Sequence, residues 1–192
     1  MTKTQTDINN NVAVTEYNVY RAITFSEQNK ILAAIDNPKY LGFFRFCCCT
    51  GMRACEALSV KVKDIDKRKG LIHITLPDTK TKKHQRTIPY LPELFDDISL
   101  SNTYLFADIT DDGSKQYFCT LYKRLKLELC RHSARHTFIS VCMHIGVDKQ
   151  QVQQWAGHTD IKMTTDTYTH KLRKGTSPVL TYLNELKKKL AL

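Results

Sequence analysis

The chain has 192 residues, a length that suits one compact domain able to bury a core without disulfide or metal staples. Its 42% hydrophobic and 25% charged content, with only 7 Gly and 5 Pro, excludes disordered, collagen-like and low-complexity classes, and no apolar run approaches the ~18–20 residues needed to span a bilayer. The formal charge of +10 is concentrated: Lys61–Tyr90 holds 9 basic and 3 acidic residues, and Lys171–Leu192 holds 6 and 1. Such clustering points to a polyanion, most simply nucleic acid, against the plainer reading of a solvated face.

Residues 1–22 read as a polar N-terminal tail. The opening MTKTQTDINNN has no apolar leader, so a cytoplasmic protein is expected. Thr24 or Ser26 can cap a helix starting near Glu27, with Ile31, Leu32 and Ile35 on its apolar side. Asn37-Pro38 ends it. A buried helix is expected from about Tyr40 to Cys49, broken at Thr50-Gly51 and resuming over Met52–Leu58. The period then changes to alternation. Val60–Ile65, Leu71–Leu76 and Arg86–Tyr90 read as a three-stranded antiparallel meander, with a turn at Asp66–Gly70 and a basic loop at Pro77–Gln85. Pro89 fits only an edge strand or a strand end, and Pro92 opens a short helix. Residues 107–116 read as a loop. Gln116–Leu127 is helical by the spacing of Phe118, Leu121, Tyr122 and Leu125. Ser133–Ile145 is another helix. Asp148 with Gln151, and Gly157 at the far end, bracket a short helix with Val152 and Trp155 inward. Pro178–Leu192 is amphipathic through Val179, Leu183, Leu186 and Leu190. The fold class is α+β: mostly helical, with a small three-stranded antiparallel sheet.

Seven cysteines, an odd number with Cys47, Cys48 and Cys49 adjacent, argue against a disulfide framework. These three read as core. Cys130, His132 and His136 lie close in sequence, but no second ligand pair completes a zinc site. Asp108, Asp111 and Asp112 read as solvated carboxylates rather than a metal cluster, and no phosphate-cradling GxxxxGK[ST] loop is present.

Three islands carry reactive groups: TGMRACEAL with Arg53 and Glu56, HSARHTF with His132 and Arg135, and WAGHTDIKMTTDTYTH with His158 and Tyr168. Singly each is weak, since an arginine after a turn is usually a surface residue and a tyrosine is usually packing. Their order and spacing, over about Thr24 to His170, resemble the tyrosine recombinase (phage integrase) family. Its pattern is an Arg after a Thr-Gly turn, a Lys in a β-hairpin, His-x-x-Arg, Gly-His, and a Tyr nine or ten residues on.

The resemblance implies a tyrosine recombinase catalytic-domain fold and a site-specific DNA recombinase of the integrase type. Strands would be cut and rejoined through a covalent 3′-phosphotyrosine, without metal, ATP or other cofactor. Alternatives are a catalytically silent DNA-binding module and a type IB-like DNA-relaxing enzyme. The catalytic set it implies is Arg53, Lys80, His132, Arg135, His158 and Tyr168, with Tyr168 as nucleophile. Lys80 aligns best as the general acid and Lys82 competes. Glu56 supports by orienting Arg53, and Lys82, Lys83 and Arg86 are expected on DNA. Ala134 and Ala156 stand where the family more often has Leu, and both read as packing positions. The partner is double-stranded DNA, bound by a homo-tetramer, with no membrane role. The expected division is a tail over 1–22, the catalytic domain over 23–176, and a C-terminal helix over 177–192 that docks on its own domain or, slightly favoured, on a neighbouring protomer. Family members usually carry an N-terminal DNA-clamping domain, so the chain is expected to be a piece of a longer protein or a short member.

Overall fold

The computed structural model describes residues 21–74, 85–157 and 175–190. Thr24 opens α1 (Phe25–Ala34) through a reciprocal cap: its hydroxyl accepts the Glu27 N–H, and Glu27 accepts the Thr24 N–H at 2.9 Å. This satisfies two donors that a helix start otherwise leaves bare. Pro38 then begins a helix rather than merely ending one. It sits at the first position of α2 (Pro38–Thr50), where its missing N–H costs nothing, and the Asn37 side chain caps it. Ala22 and Ile23 are buried, and the Ile23 N–H donates to Thr137 Oγ1 at 2.9 Å.

After α2 come α3 (Ala54–Ser59), β1 (Ile65–Asp66), β2 (Leu71–Ile74) and β3 (Arg86–Pro89), then α4 (Asp111–Arg124), α5 (His132–His144), α6 (Lys149–Ala156) and α7 (Pro178–Leu190). The sheet order is β1-β2-β3, antiparallel throughout. Pro89 closes β3 at the sheet edge, where no ladder donor is required. Pro92 opens a 3₁₀ turn over Pro92–Phe95.

Two expectations need correction. Val60–Ile65 is not a strand. Lys61 makes one isolated bridge to Tyr104, Asp64 accepts the Lys61 N–H at 3.1 Å, and Val62–Asp64 forms a 3₁₀ turn that leaves only Ile65–Asp66 to pair. Nor is 107–116 all loop. The Thr110 hydroxyl accepts the Gly113 N–H at 3.0 Å, and Asp111 and Asp112 lie in the first turn, where negative charge is favourable. The helix therefore starts five residues before Gln116.

The core runs along α2, which packs against α3, α5 and α7. Phe43 and Phe46 meet Phe106 edge-to-face at 5.1 and 5.2 Å, a favoured aromatic geometry. Cys47, Cys48 and Cys49 are buried in this core as expected, and burial pushes the Cys49 thiol up to about 12. Ala134 and Ala156 are likewise buried packing positions. α7 lays Val179, Leu183 and Leu186 onto the α2 and α5 of its own chain, and the Lys187 ammonium donates to the Ile145 carbonyl at the end of α5. No helix among the described residues is long and apolar enough to cross a membrane.

Candidate active site

α2 ends at a glycine that nothing else could replace without disturbance. Gly51 has φ of 67°, and a Cβ there would lie 2.3 Å from the Phe138 ring of α5. Both the left-handed backbone and the close approach demand glycine. Two residues on, Arg53 is the N-cap of α3. Its backbone N–H donates to Glu56 Oε2 and its guanidinium Nη1 to Glu56 Oε1, each at 2.9 Å. Arg53 keeps 35% of its side chain exposed, whereas Glu56 keeps 3%. Glu56 thus holds Arg53 from beneath and leaves part of its guanidinium open.

Arg135 arrives from α5. Its side chain is buried, and Nη1 donates to the Gly51 carbonyl at 2.7 Å. The second arginine therefore grips the loop that carries the first. His132 stands one helical turn earlier and is exposed. Desolvation lowers its pKa, and the charges of Arg131, Arg135 and Arg53 lower it further. Residues 84 positions apart, Gly51 and Arg135, meet here, and both expected clamp arginines act on the same imidazole. Arg131 steadies the start of α5, pairing with Asp111 Oδ1 at 2.6 Å. On the same helix, His136 is driven down to about 4, first by burial and then by His132 and Arg135.

Arg86 departs from its expected place. Expected on DNA with the lysines, it instead has a side chain turned inward and 4% exposed. Nη2 donates to Glu56 Oε2 at 2.8 Å, Nη1 to Glu56 Oε1 at 3.3 Å, and Nε to the Trp155 carbonyl at 2.7 Å. A signal for this lay in the strand period. Arg86 and Ile88 share one face of β3, and Ile88 is core. Burial pushes the Glu56 carboxyl up, but bonding to Arg86, the charge of Arg86, the Arg53 N–H and the charge of Arg53 outweigh it and hold the group at about 2.

α6 ends at Gly157, with φ of 69°, where a Cβ would lie 2.8 Å from Arg86 Nη1. His158 follows in sequence. His158, Tyr168, Lys80, Lys82 and Lys83 lie outside the described residues. Among the described residues, no group of three or more His, Cys, Asp or Glu could hold a metal ion.

The profile of the phage integrase family matches residues 21–174. The chain belongs to that family. Among its relatives, the tyrosine recombinase XerA of Saccharolobus solfataricus is 31% identical over 158 residues, covering 78% of this chain and 52% of XerA. The integrase of Haemophilus phage HP1 is 33% identical over 148 residues, covering 73% of this chain and 41% of that protein. The chain thus spans about half the length of the curated relatives it matches. Among solved structures, the catalytic domain of bacteriophage HP1 integrase superposes with a TM-score of 0.64 at 27% identity, covering 88% of this chain and 94% of that one. The Tn1549 transposon integrase in complex with circular intermediate DNA superposes with a TM-score of 0.69 at 18% identity, covering 91% and 68%, which is a likeness of fold. The described architecture is that of a tyrosine recombinase catalytic domain.

Proposed function

We propose that this phage integrase family member is a site-specific DNA recombinase that cuts and rejoins strands through a 3′-phosphotyrosine. The observation that carries this reading is the bond from Arg135 to the Gly51 carbonyl, which joins the α5 arginine to the Arg53 loop, with His132 one turn before Arg135 on the same helix. A phosphodiester gains negative charge in its transition state, and two planar guanidinium groups match its non-bridging oxygens. Each such donor, fixed in advance, is typically worth ~3–4 kcal/mol in the barrier. His132 adds a further hydrogen-bond donor.

In this reading Tyr168 releases its phenolic proton to solvent, its oxygen attacks phosphorus, and the bond to the 5′-oxygen breaks. Lys80, or Lys82, delivers the proton that makes the leaving group a hydroxyl. The linkage keeps the energy of the broken bond, so a 5′-hydroxyl from another strand reverses the step without nucleotide hydrolysis. His158 supplies a further contact to phosphate, and Lys82 and Lys83 contact the duplex. Each cut occupies one Tyr168, so exchange between two duplexes calls for a tetramer on DNA.

The test uses a pool of nicked duplexes of randomised sequence, selected for attachment that survives detergent. The wild-type chain is expected to become covalently joined to a subset, in excess EDTA as without it. Tyr168→Phe is expected to abolish attachment. An adduct formed by the phenylalanine variant would refute the nucleophile, and loss under EDTA would favour a metal nuclease. Duplex binding with no adduct would favour the silent module. Relaxation of supercoiled plasmid without strand exchange would favour the relaxing enzyme.

A further inference from the structure

We infer that Arg86 is a positioning residue that keeps the charge and aim of Arg53 through Glu56, and is not a DNA contact. The inference rests on the recombinase reading above. Its first support is geometric. Arg86 engages Glu56 with two nitrogens and the Trp155 carbonyl with a third, at 2.7–3.3 Å. Three segments meet at one planar group: the start of α3 behind Arg53, strand β3 which follows Lys80–Lys83 in sequence, and the last turn of α6 before Gly157-His158. The guanidinium fork holds such an arrangement as a lysine cannot. Gly157 is shaped to it, since a Cβ there would touch three atoms of the group at 2.8–3.0 Å.

The second support is charge. Glu56 Oε1 takes Arg53 Nη1 and Arg86 Nη1, and Glu56 Oε2 takes the Arg53 N–H and Arg86 Nη2. A lone Glu56 would neutralise Arg53 one for one and weaken its pull on a phosphate. With Arg86 sharing the carboxylate, the trio keeps one net positive charge. That charge is available at Arg53, the member whose side chain is partly open to solvent. Arg86 itself has almost no surface with which to meet DNA.

Arg86→Gln is compared with wild type on a duplex recovered from the randomised pool. Three quantities are read: equilibrium affinity with its salt dependence, single-turnover cleavage at saturating DNA, and the folded fraction by circular dichroism at the assay temperature. Affinity and salt slope are expected to stay as in wild type. Cleavage per folded molecule is expected to fall roughly ten- to a hundredfold, as for a misplaced transition-state contact. Adding Glu56→Gln, which releases Arg53 from its neutralising partner, is expected to recover part of that loss. A weakened affinity with a salt slope shallower by about one would make Arg86 a phosphate contact and overturn the inference. So would an unchanged rate per folded molecule, which would leave Arg86 a purely structural residue. If Arg86→Gln does not fold, Arg86→Lys carries the same comparison, keeping the charge but not the three-way grip. A wild-type chain that forms no adduct brings down the recombinase reading and this inference with it. An active wild type with an unaffected Arg86→Gln brings down this inference alone.

Discussion

The molecule turns two helix ends in the same way and secures them differently. α2 ends at Gly51 and α6 at Gly157, both left-handed, with φ of 67° and 69°. Each turn comes just before a residue singled out for catalysis, Arg53 in one case and His158 in the other. The Gly51 corner is closed by the Phe138 ring, and the Gly157 corner by the Arg86 guanidinium. A ring inside the core cannot yield, because its neighbours are packed at crystal-like density. A guanidinium can shift if its partners let it. The first corner is therefore a matter of packing, and the second a matter of electrostatics, set by Glu56.

Substitutions separate the two. Gly51→Ala combines a left-handed alanine with a methyl forced into the Phe138 ring, and should cost about 3–4 kcal/mol of stability. Urea unfolding measures it, and the cost should be the same whether residue 86 is Arg or Lys. A loss below about 1 kcal/mol would mean the α5 ring is free to move.

Acid should loosen the electrostatic corner and spare the packed one. Glu56, held at about 2 against an ordinary 4.5, contributes stability that is fully present above pH 4.5 and is lost as pH falls through about 2. Its span amounts to about 3 kcal/mol. His136, held at about 4 against 6.5, resists a proton that the unfolded chain accepts, so stability also falls from about pH 6.5 to 4. The pH profile of the urea midpoint should therefore show two adjoining declines. Glu56→Gln should lessen the lower one and His136→Gln the upper one. A profile that neither substitution changes would break the assignment.

Gly157→Ala should be the mildest, about 1–2 kcal/mol, because its obstacle is the end of a side chain. Its cost should shrink in an Arg86→Lys background, where the blocking group is gone. Equal costs in both backgrounds would erase the distinction between the corners.

Much of this was legible in short stretches. Thr24 with Glu27, Asp148 at the head of α6, and Gly51 and Gly157 behind their helices are local devices, and each stands where the chain pattern puts it. The Arg53–Glu56 pairing was legible too, because three residues on one helix start are neighbours whatever surrounds them. The alternation over Val60–Ile65 misled because Asp64 satisfies the Lys61 backbone locally and competes with strand pairing. The early start of α4 was hidden by Asp111, Asp112 and Gly113, which look like a loop until Thr110 is seen to cap them. Arg86 misled because the basic run beside it drew attention to charge and away from the strand face it shares with Ile88.

By itself, the order of residues determined most of the helices and several of their caps, the α+β class, the family, and the set of groups proposed for chemistry, since these depend on spacing along the chain. Only the tertiary structure decided which cations are drawn onto groups of the protein itself. Arg135 on Gly51, Arg86 under Glu56 and Lys187 on the end of α5 were all plain positive charges in the sequence. The direction of a long side chain is set by which buried carboxylate or carbonyl lies within its reach, and that is fixed only when distant segments pack.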